Sequence, residues 1–223
     1  ISEREINGVK PQVVDLPESA TNTALIIESS GSTGIPKKIY LSSGALVASA
    51  NATSNAIGSG QWLLTLPANY IAGAMVLVRS ILSNTRPIVM NTGVSFTSEA
   101  FALSSTLLTD DNRFVSVVPT QLLRLKEATL TDKFLLAQLQ KFEAILVGGQ
   151  AVNGSLVQYF KDNGVKVITS YGMAETAGGC VYDERPLPGV EVRINADGTI
   201  GLAGPMLANS VADSSGFLNT QDI

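Results

Sequence analysis

Between Trp62 and Thr169, short apolar runs alternate with segments of helical length, and this alternation restricts the fold more than any other feature. The runs are Trp62-Leu-Leu-Thr-Leu66, stopped by Pro67; Pro87-Ile-Val-Met90; Phe114-Val-Ser-Val-Val118; Ala144-Ile-Leu-Val147; and residues 165–169. Each is short, apolar and bounded by turn signals, as buried strands are. Between them, helices are predicted over 71–82, where Gly73 and Ala74 permit close packing, over 98–108, over 120–127 behind Pro119, over 132–140 and over 154–162. Such alternation predicts a layered α/β domain. Glycines directly after strand ends, at 148, 149 and 172, stand where ligands bind in such sheets.

The flanks read differently. Residues 1–23 are polar, carry two prolines and read as a connecting arm. A strand over 24–28 and another over 38–41 form two arms of a hairpin-like pair. Ser42 or Ser43 caps a helix running to about Ala56, ended by Gly58 and Gly60. After residue 185, Pro188-Gly189 leads into Val190 to Ile194, an Asp197-Gly198 turn and Thr199 to Leu202, a small antiparallel β unit. The expected organisation is an arm (1–23), an α/β core (24–185) and a β-rich subdomain (186–223).

Composition removes several classes of chemistry. No histidine occurs among the 223 residues, which excludes Ser-His-Asp and Cys-His catalysis and imidazole-based zinc sites within the chain. A net charge of −4 with scattered Arg and Lys argues against nucleic acid as a partner. No apolar run approaches the roughly 18 residues of a membrane span, so no membrane insertion is expected. A single cysteine, Cys180, fits a reducing, cytoplasmic setting. With no initiator methionine, the chain reads as a piece that begins inside a longer protein.

Between the hairpin arms lies Ser29-Ser30-Gly31-Ser32-Thr33-Gly34-Ile35-Pro36-Lys37-Lys38. Glycines permit positive φ values that turn successive N–H groups into a concave nest, hydroxyls add donors, and lysine adds charge for a phosphate. A solvated Ser/Gly turn has the same composition. A Walker A sequence is ruled out, since Pro36 falls where the second glycine belongs, and no Gly-x-Gly-x-x-Gly follows a strand.

Ser30 to Lys37 resembles, position by position, the phosphate-binding motif of the adenylate-forming superfamily, which contains acyl-CoA synthetases, luciferases and adenylation domains. Tyr171-Gly172-Met173-Ala174-Glu175-Thr176 is similar to that superfamily's aromatic-Gly-x-x-Glu-Thr motif, and Thr220-Gln221-Asp222 more weakly to its Thr-Gly-Asp. The three occur in the right order across nearly the whole chain. The fold implied is the large N-terminal α/β domain of such an enzyme, with the small C-terminal domain absent. Within the superfamily, segments 66–73, 78–80, 118–122, 147–149 and 178–183 look like those of the o-succinylbenzoate–CoA ligases of menaquinone biosynthesis. The alternatives are another aryl- or acyl-CoA ligase and a non-catalytic nucleotide-binding relic.

The resemblance implies ATP, Mg²⁺ and coenzyme A as cofactor and co-substrates and a small carboxylic acid as substrate; it leaves a homodimer open. Ser30, Gly31, Ser32, Thr33, Gly34 and Lys37 would wrap the phosphates, Glu175 would hold Mg²⁺, and Thr176 would donate near the α-phosphate. The catalytic set is thus Lys37, Glu175 and Thr176. Gly149, Gln150, Tyr171, Gly172 and Met173 would form the adenine pocket, and Asp222 would accept from the ribose hydroxyls. Tyr70, Arg79, Gly148, Gly178 and Gly179 would hold the acid. Arg79 interrupts an apolar helix, where a charge needs a partner; a snorkelling or ion-paired arginine is the competing reading, and a plain loop is that for Gly178 and Gly179.

Two departures stand out. Asn69-Tyr70 replace a histidine or other aromatic, and Gln221 replaces a glycine. The chain stops one residue after Asp222, before the hinge and the lysine-bearing C-terminal domain, so it is expected to bind nucleotide but turn over poorly by itself.

Overall fold

The computed structural model describes residues 22–29 and 37–223. Strands β1 (Thr23–Ser29) and β2 (Lys37–Ser42) form the expected antiparallel hairpin, with Ile26 opposite Tyr40 and Ser29 opposite Lys37. Its apolar face, Ile27, Ile39 and Leu41, is buried against Leu46 and Ala50 of α1 (Ser43–Ile57) and against Met75. Ser42 is the cap of α1: its hydroxyl accepts the Ala45 N–H at 3.1 Å. Gly58, at φ 95°, ends the helix in a conformation that costs a side-chain-bearing residue energy.

The core is a seven-stranded sheet of β3 (Gln61–Leu64), β4 (Ile88–Val89), β5 (Arg113–Val117), β6 (Ala144–Gly148), β7 (Val167–Met173), β8 (Gly178–Tyr182) and β9 (Arg185–Pro186). Their spatial order is β4-β3-β5-β6-β7-β8-β9. The first five are parallel, and β8 and β9 add antiparallel to the edge. Helices α2 (Ile71–Leu82), α3 (Ser98–Ser105), α4 (Pro119–Thr129), α5 (Lys133–Leu139) and α6 (Gly154–Asp162) make the connections.

Both faces of the sheet are covered, which explains why its strands read as unbroken apolar runs. Leu63, Val115, Val117, Ile145 and Val147 point to the layer of α3, α4, α5 and α6, packing on Phe101, Leu122, Leu135 and Phe160. Their neighbours Trp62, Leu64, Phe114, Ala144 and Leu146 point the other way, onto Ala52 of α1 and Val76 of α2. Because α2 leaves β3 on one face and α4 leaves β5 on the other, a crevice opens between the carboxyl ends of these strands.

One expectation needs correcting, and one competing reading falls. Strand β7 does not stop at 169 but continues through the Tyr171-Gly172 motif to Met173. Gly178 and Gly179 do not form a loop; they begin β8, which folds back on β7. A side chain at Gly172 would run into the Gly178 carbonyl, so glycine is what lets the hairpin close this tightly.

The third sheet is β10 (Glu191–Ile194), β11 (Ile200–Ala203) and β12 (Leu218–Asn219), antiparallel throughout. Its turn is set by Asp197, whose carboxylate accepts the Thr199 N–H at 3.0 Å and the Thr199 hydroxyl at 2.6 Å. Leu202 and Met206 pack on Cys180 of β8, with Tyr171 and Val181 alongside. Burial there pushes the Cys180 thiol up to about 11. Among the described residues, no helix is long and apolar enough to cross a membrane.

Candidate active site

The carboxyl ends of β6 and β7 face the small three-stranded sheet across a cleft of about 660 Å³. Gly149, Gln150, Tyr171, Gly172, Met173 and Asp222 all line it, with Val152, Val192 and Ile200 adding apolar wall. Gly149 sits at φ 83°, where the chain turns sharply out of β6. Tyr171 ends up half-buried, and its hydroxyl donates to Asp222 Oδ2 at 2.8 Å. Burial first, and then this hydrogen bond, push the phenol up to about 12. A side chain of the large sheet is thereby tied across the cleft to one that follows the last strand of the small sheet, leaving an apolar slot with an acceptor at its end. A flat heterocycle carrying a hydroxylated sugar fits that arrangement.

Beyond β7 the chain makes one 3₁₀ turn, Ala174–Thr176. Thr176 is fully buried; its hydroxyl accepts the Met173 N–H at 2.9 Å and donates to the Gly178 carbonyl at 2.7 Å. In this geometry Thr176 braces the turn that presents Glu175. The Glu175 carboxylate lies 3.5 Å from Lys37 Nζ, with the lysine 63% and the glutamate 16% exposed. A contact of that length on an exposed lysine contributes at most about 1 kcal/mol. Ser30, Gly31, Ser32, Thr33 and Gly34 lie outside the described residues. Of the residues implied to hold phosphate, Lys37, at the start of β2, is the one the structure places beside Glu175. Among the described residues no group of three or more His, Cys, Asp or Glu could enclose a metal ion. Glu175 alone suits a hard cation that keeps its waters and shares phosphate oxygens, which is how Mg²⁺ binds.

A second cavity, about 110 Å³, opens between α2 and the carboxyl ends of β5, β6 and β7 and shares Gly149, Ser170 and Gly172 with the cleft. Gly148, Gly178, Gly179, Ile71, Met75, Ser116 and Arg79 are among the residues lining it. Arg79 is 4% exposed, and its Nε has no hydrogen-bond partner. The guanidinium lies over the Trp62 ring, 4.9 Å from the centroid, and no carboxylate bridges to it among the described residues. Burial lowers its pKa, opposed by the nearby Tyr182. Burying an unpaired charge costs several kcal/mol, and a desolvated cation–π contact returns only about 2. The chain thus holds an uncompensated cation against a largely apolar cavity.

Tyr70 is the outlier among the expected residues. It is 56% exposed at the start of α2 and lines neither cavity. Sequence reasoning passed over Trp62, Ser116 and Glu184. Ser116 is the one buried polar residue of β5, a signal that was legible. Glu184 lines the cleft from a two-residue turn, where Asp183 and Glu184 have φ 43° and 64°. Asp183 secures that turn by accepting the Thr169 N–H at 2.8 Å and the Thr169 hydroxyl at 2.9 Å. Trp62 has no local signal, because only tertiary packing puts it beneath Arg79.

The sequence matches the AMP-binding enzyme family from residue 2 to residue 217. A probable 2-succinylbenzoate–CoA ligase of Mycobacterium tuberculosis is 38% identical over 188 residues, covering 84% of this chain and 48% of that protein. The 2-succinylbenzoate–CoA ligase of Escherichia coli is 30% identical over 176 residues, covering 74% of this chain and 35% of that protein. Among solved structures, o-succinylbenzoate CoA synthetase from Bacillus subtilis, bound with a product analogue, superposes with a TM-score of 0.79. The identity is 24%, over 91% of this chain and 46% of that one, so this likeness speaks for the fold. The chain spans about half the length of the curated relatives it matches.

Proposed function

The chain belongs to the AMP-binding enzymes, and we propose that it is the nucleotide- and acid-binding part of a ligase that activates o-succinylbenzoate with ATP and passes the acyl group to coenzyme A. The observation that carries this reading is the buried Arg79, a cation without a carboxylate partner beside a cavity that joins the nucleotide cleft. A monocarboxylic acid would leave that charge uncompensated once its one carboxylate had reacted. A dicarboxylic acid keeps a second carboxylate for it. The names of the sequence relatives point to the same acid.

The proposed chemistry is displacement at phosphorus. A carboxylate oxygen of the acid attacks the α-phosphorus of ATP, the bond to the bridging oxygen breaks, and pyrophosphate leaves with the electron pair. The thiol sulfur of coenzyme A then attacks the acyl carbon, its proton is lost, and AMP departs. No proton needs to be removed from the attacking carboxylate, which suits a site without histidine. What this chain supplies is position and charge. Tyr171 would lie against the adenine and Asp222 would accept from the ribose. Gly149, Gln150, Gly172 and Met173 would complete the base pocket, while Gly148, Gly178 and Gly179 leave room for the aromatic ring. Ser30, Gly31, Ser32, Thr33, Gly34 and Lys37 would wrap the outer phosphates, and Glu175, braced by Thr176, would hold Mg²⁺. When bound, the ion would neutralise charge that accumulates on the phosphates. Lys37 would exchange its weak contact with Glu175 for a phosphate.

Calorimetric titration with stable acyl-sulfamoyl adenosines tests the reading. The succinylbenzoyl compound is expected to bind more tightly than the benzoyl and fatty ones. Arg79→Ala is expected to weaken it by roughly ten- to a hundredfold, the worth of a charged hydrogen bond, and to leave the benzoyl compound unchanged. Equal binding of all three compounds, together with indifference to Arg79→Ala, would sink the substrate assignment.

A further inference from the structure

We infer that Trp62 is a positioning residue for acid selection: its ring face holds the Arg79 guanidinium at the cavity without neutralising it, so that the charge is kept for the substrate. This rests on the reading of Arg79 given above. The argument starts from how proteins usually manage a buried arginine. A carboxylate or several carbonyls take up its five donors, and the charge is then no longer available to a ligand. Here neither occurs. Nε is buried with no hydrogen-bond partner, and no acidic residue bridges to the group among the described residues. The side chain is nonetheless not loose, since the guanidinium stands 4.9 Å from the centroid of the Trp62 ring.

An aromatic face attracts a cation through its quadrupole while using none of the cation's N–H donors. It also sets the plane of the guanidinium, and a planar fork must be oriented to meet a carboxylate in bidentate fashion. Trp62 is itself fixed. It is 2% exposed on β3 and stacked on Phe114 of β5, with ring centroids 5.1 Å apart and planes 27° from parallel. Phe114 thus backs Trp62, and the Trp62 ring in turn lies against Arg79, which lines the cavity. Tyr182, the nearby group that opposes the fall in the Arg79 pKa, makes a hydrogen bond with Thr53 at 3.0 Å and leaves the guanidinium donors alone. Loss of the Trp62 ring would let the guanidinium swing out of register, and the second carboxylate of the acid would lose its partner while the nucleotide contacts stayed intact.

The test measures selectivity, taken as the affinity for succinylbenzoyl-sulfamoyl adenosine divided by that for the benzoyl compound. Trp62→Leu is expected to cut this ratio about tenfold, and Trp62→Phe, which keeps a weaker face, by only about threefold. Neither is expected to alter ATP affinity. Since Trp62 is the one tryptophan among the 223 residues, mono-, di- and trifluorotryptophan can replace it uniformly. Each fluorine drains the ring face with little change of shape, so the ratio is expected to fall stepwise along the series. This readout does not depend on whether Trp62→Leu folds. The inference is overturned if the ratio is flat or rises along the fluorinated series, or if the Trp62 variants weaken all ligands equally. A wild-type ratio near one, or an Arg79→Ala protein with an unchanged ratio, would instead defeat the proposed substrate and leave Trp62 a core residue.

Discussion

The two sheets that border the 660 Å³ cleft are held together by opposite means. In the seven-stranded sheet the cohesion is apolar: Phe101, Phe114, Phe142 and Phe160 are all but completely buried, and both sheet faces are covered. The three-stranded sheet has one buried leucine, Leu202, and a network of polar side chains on its outside. Arg193 lies over the Phe217 ring at 3.9 Å, donates to Asn195, Ser215 and Asn219, and pairs with Asp213 at 3.5 Å. Asp213 also accepts from the N–H and hydroxyl of Ser215 and from Asn219. Apolar burial is non-directional and tolerates exchange of volume; a polar network depends on each member. A cleft between two such bodies has one wall that yields only on global unfolding and another that can open locally.

The comparison is broken most forcefully at Phe160. Removing that ring from the covered face of the large sheet is expected to cost about 3–5 kcal/mol and to lower the denaturation midpoint of the whole chain, both sheets together. Asp213→Ala is expected to behave differently. Amide exchange should quicken over β10, β11 and β12 and stay unchanged in β5 and β6, while nucleotide affinity falls. Uniform acceleration across both sheets would show that the small sheet is not a separate unit.

A smaller and sharper effect is expected where the two sheets meet. Tyr171 is held up to about 12 by burial and by its bond to Asp222, above the ordinary value of 10.0. A raised pKa means that the folded chain keeps the phenol proton through a pH range in which the unfolded chain loses it. Stability from this group is therefore present below about 10 and declines as pH rises from there to about 12. Asp222→Asn removes the negatively charged acceptor, so one tyrosine should ionise at lower pH in the absorbance titration at the tyrosinate band. Burial would still hold it above 10.0. An unchanged titration would mean that the two sheets are not coupled through this pair.

How far the chain could be read without its structure varied by region. Helix α2 runs over Ile71–Leu82 as expected, and α6, capped by Asn153, over Gly154–Asp162, because apolar spacing and caps are local signals. Strand β8 was missed for an equally physical reason. Gly178 and Gly179 carry no β propensity, and their place in a strand follows from the need for a close backbone approach to Gly172, which no window of sequence displays. At the candidate site, Gly149, Gln150, Tyr171, Gly172, Met173 and Asp222 do converge on one cleft, while Tyr70 stands away from it in solvent.

What the sequence by itself determined is the layered α/β class, the hairpin arms on either side of residues 30–36 and the presence of a lone arginine within an apolar helix. These depend on spacing, capping and residue type, all of which act over a few residues. The tertiary structure alone decided which of the two faces of α2 meets the sheet, and hence that Arg79 is buried over Trp62 with its Nε unmet. Residues 62 and 79 belong to different elements, and only the close packing of α2 on β3 turns a charge written in the sequence into a buried cation with an unmet donor.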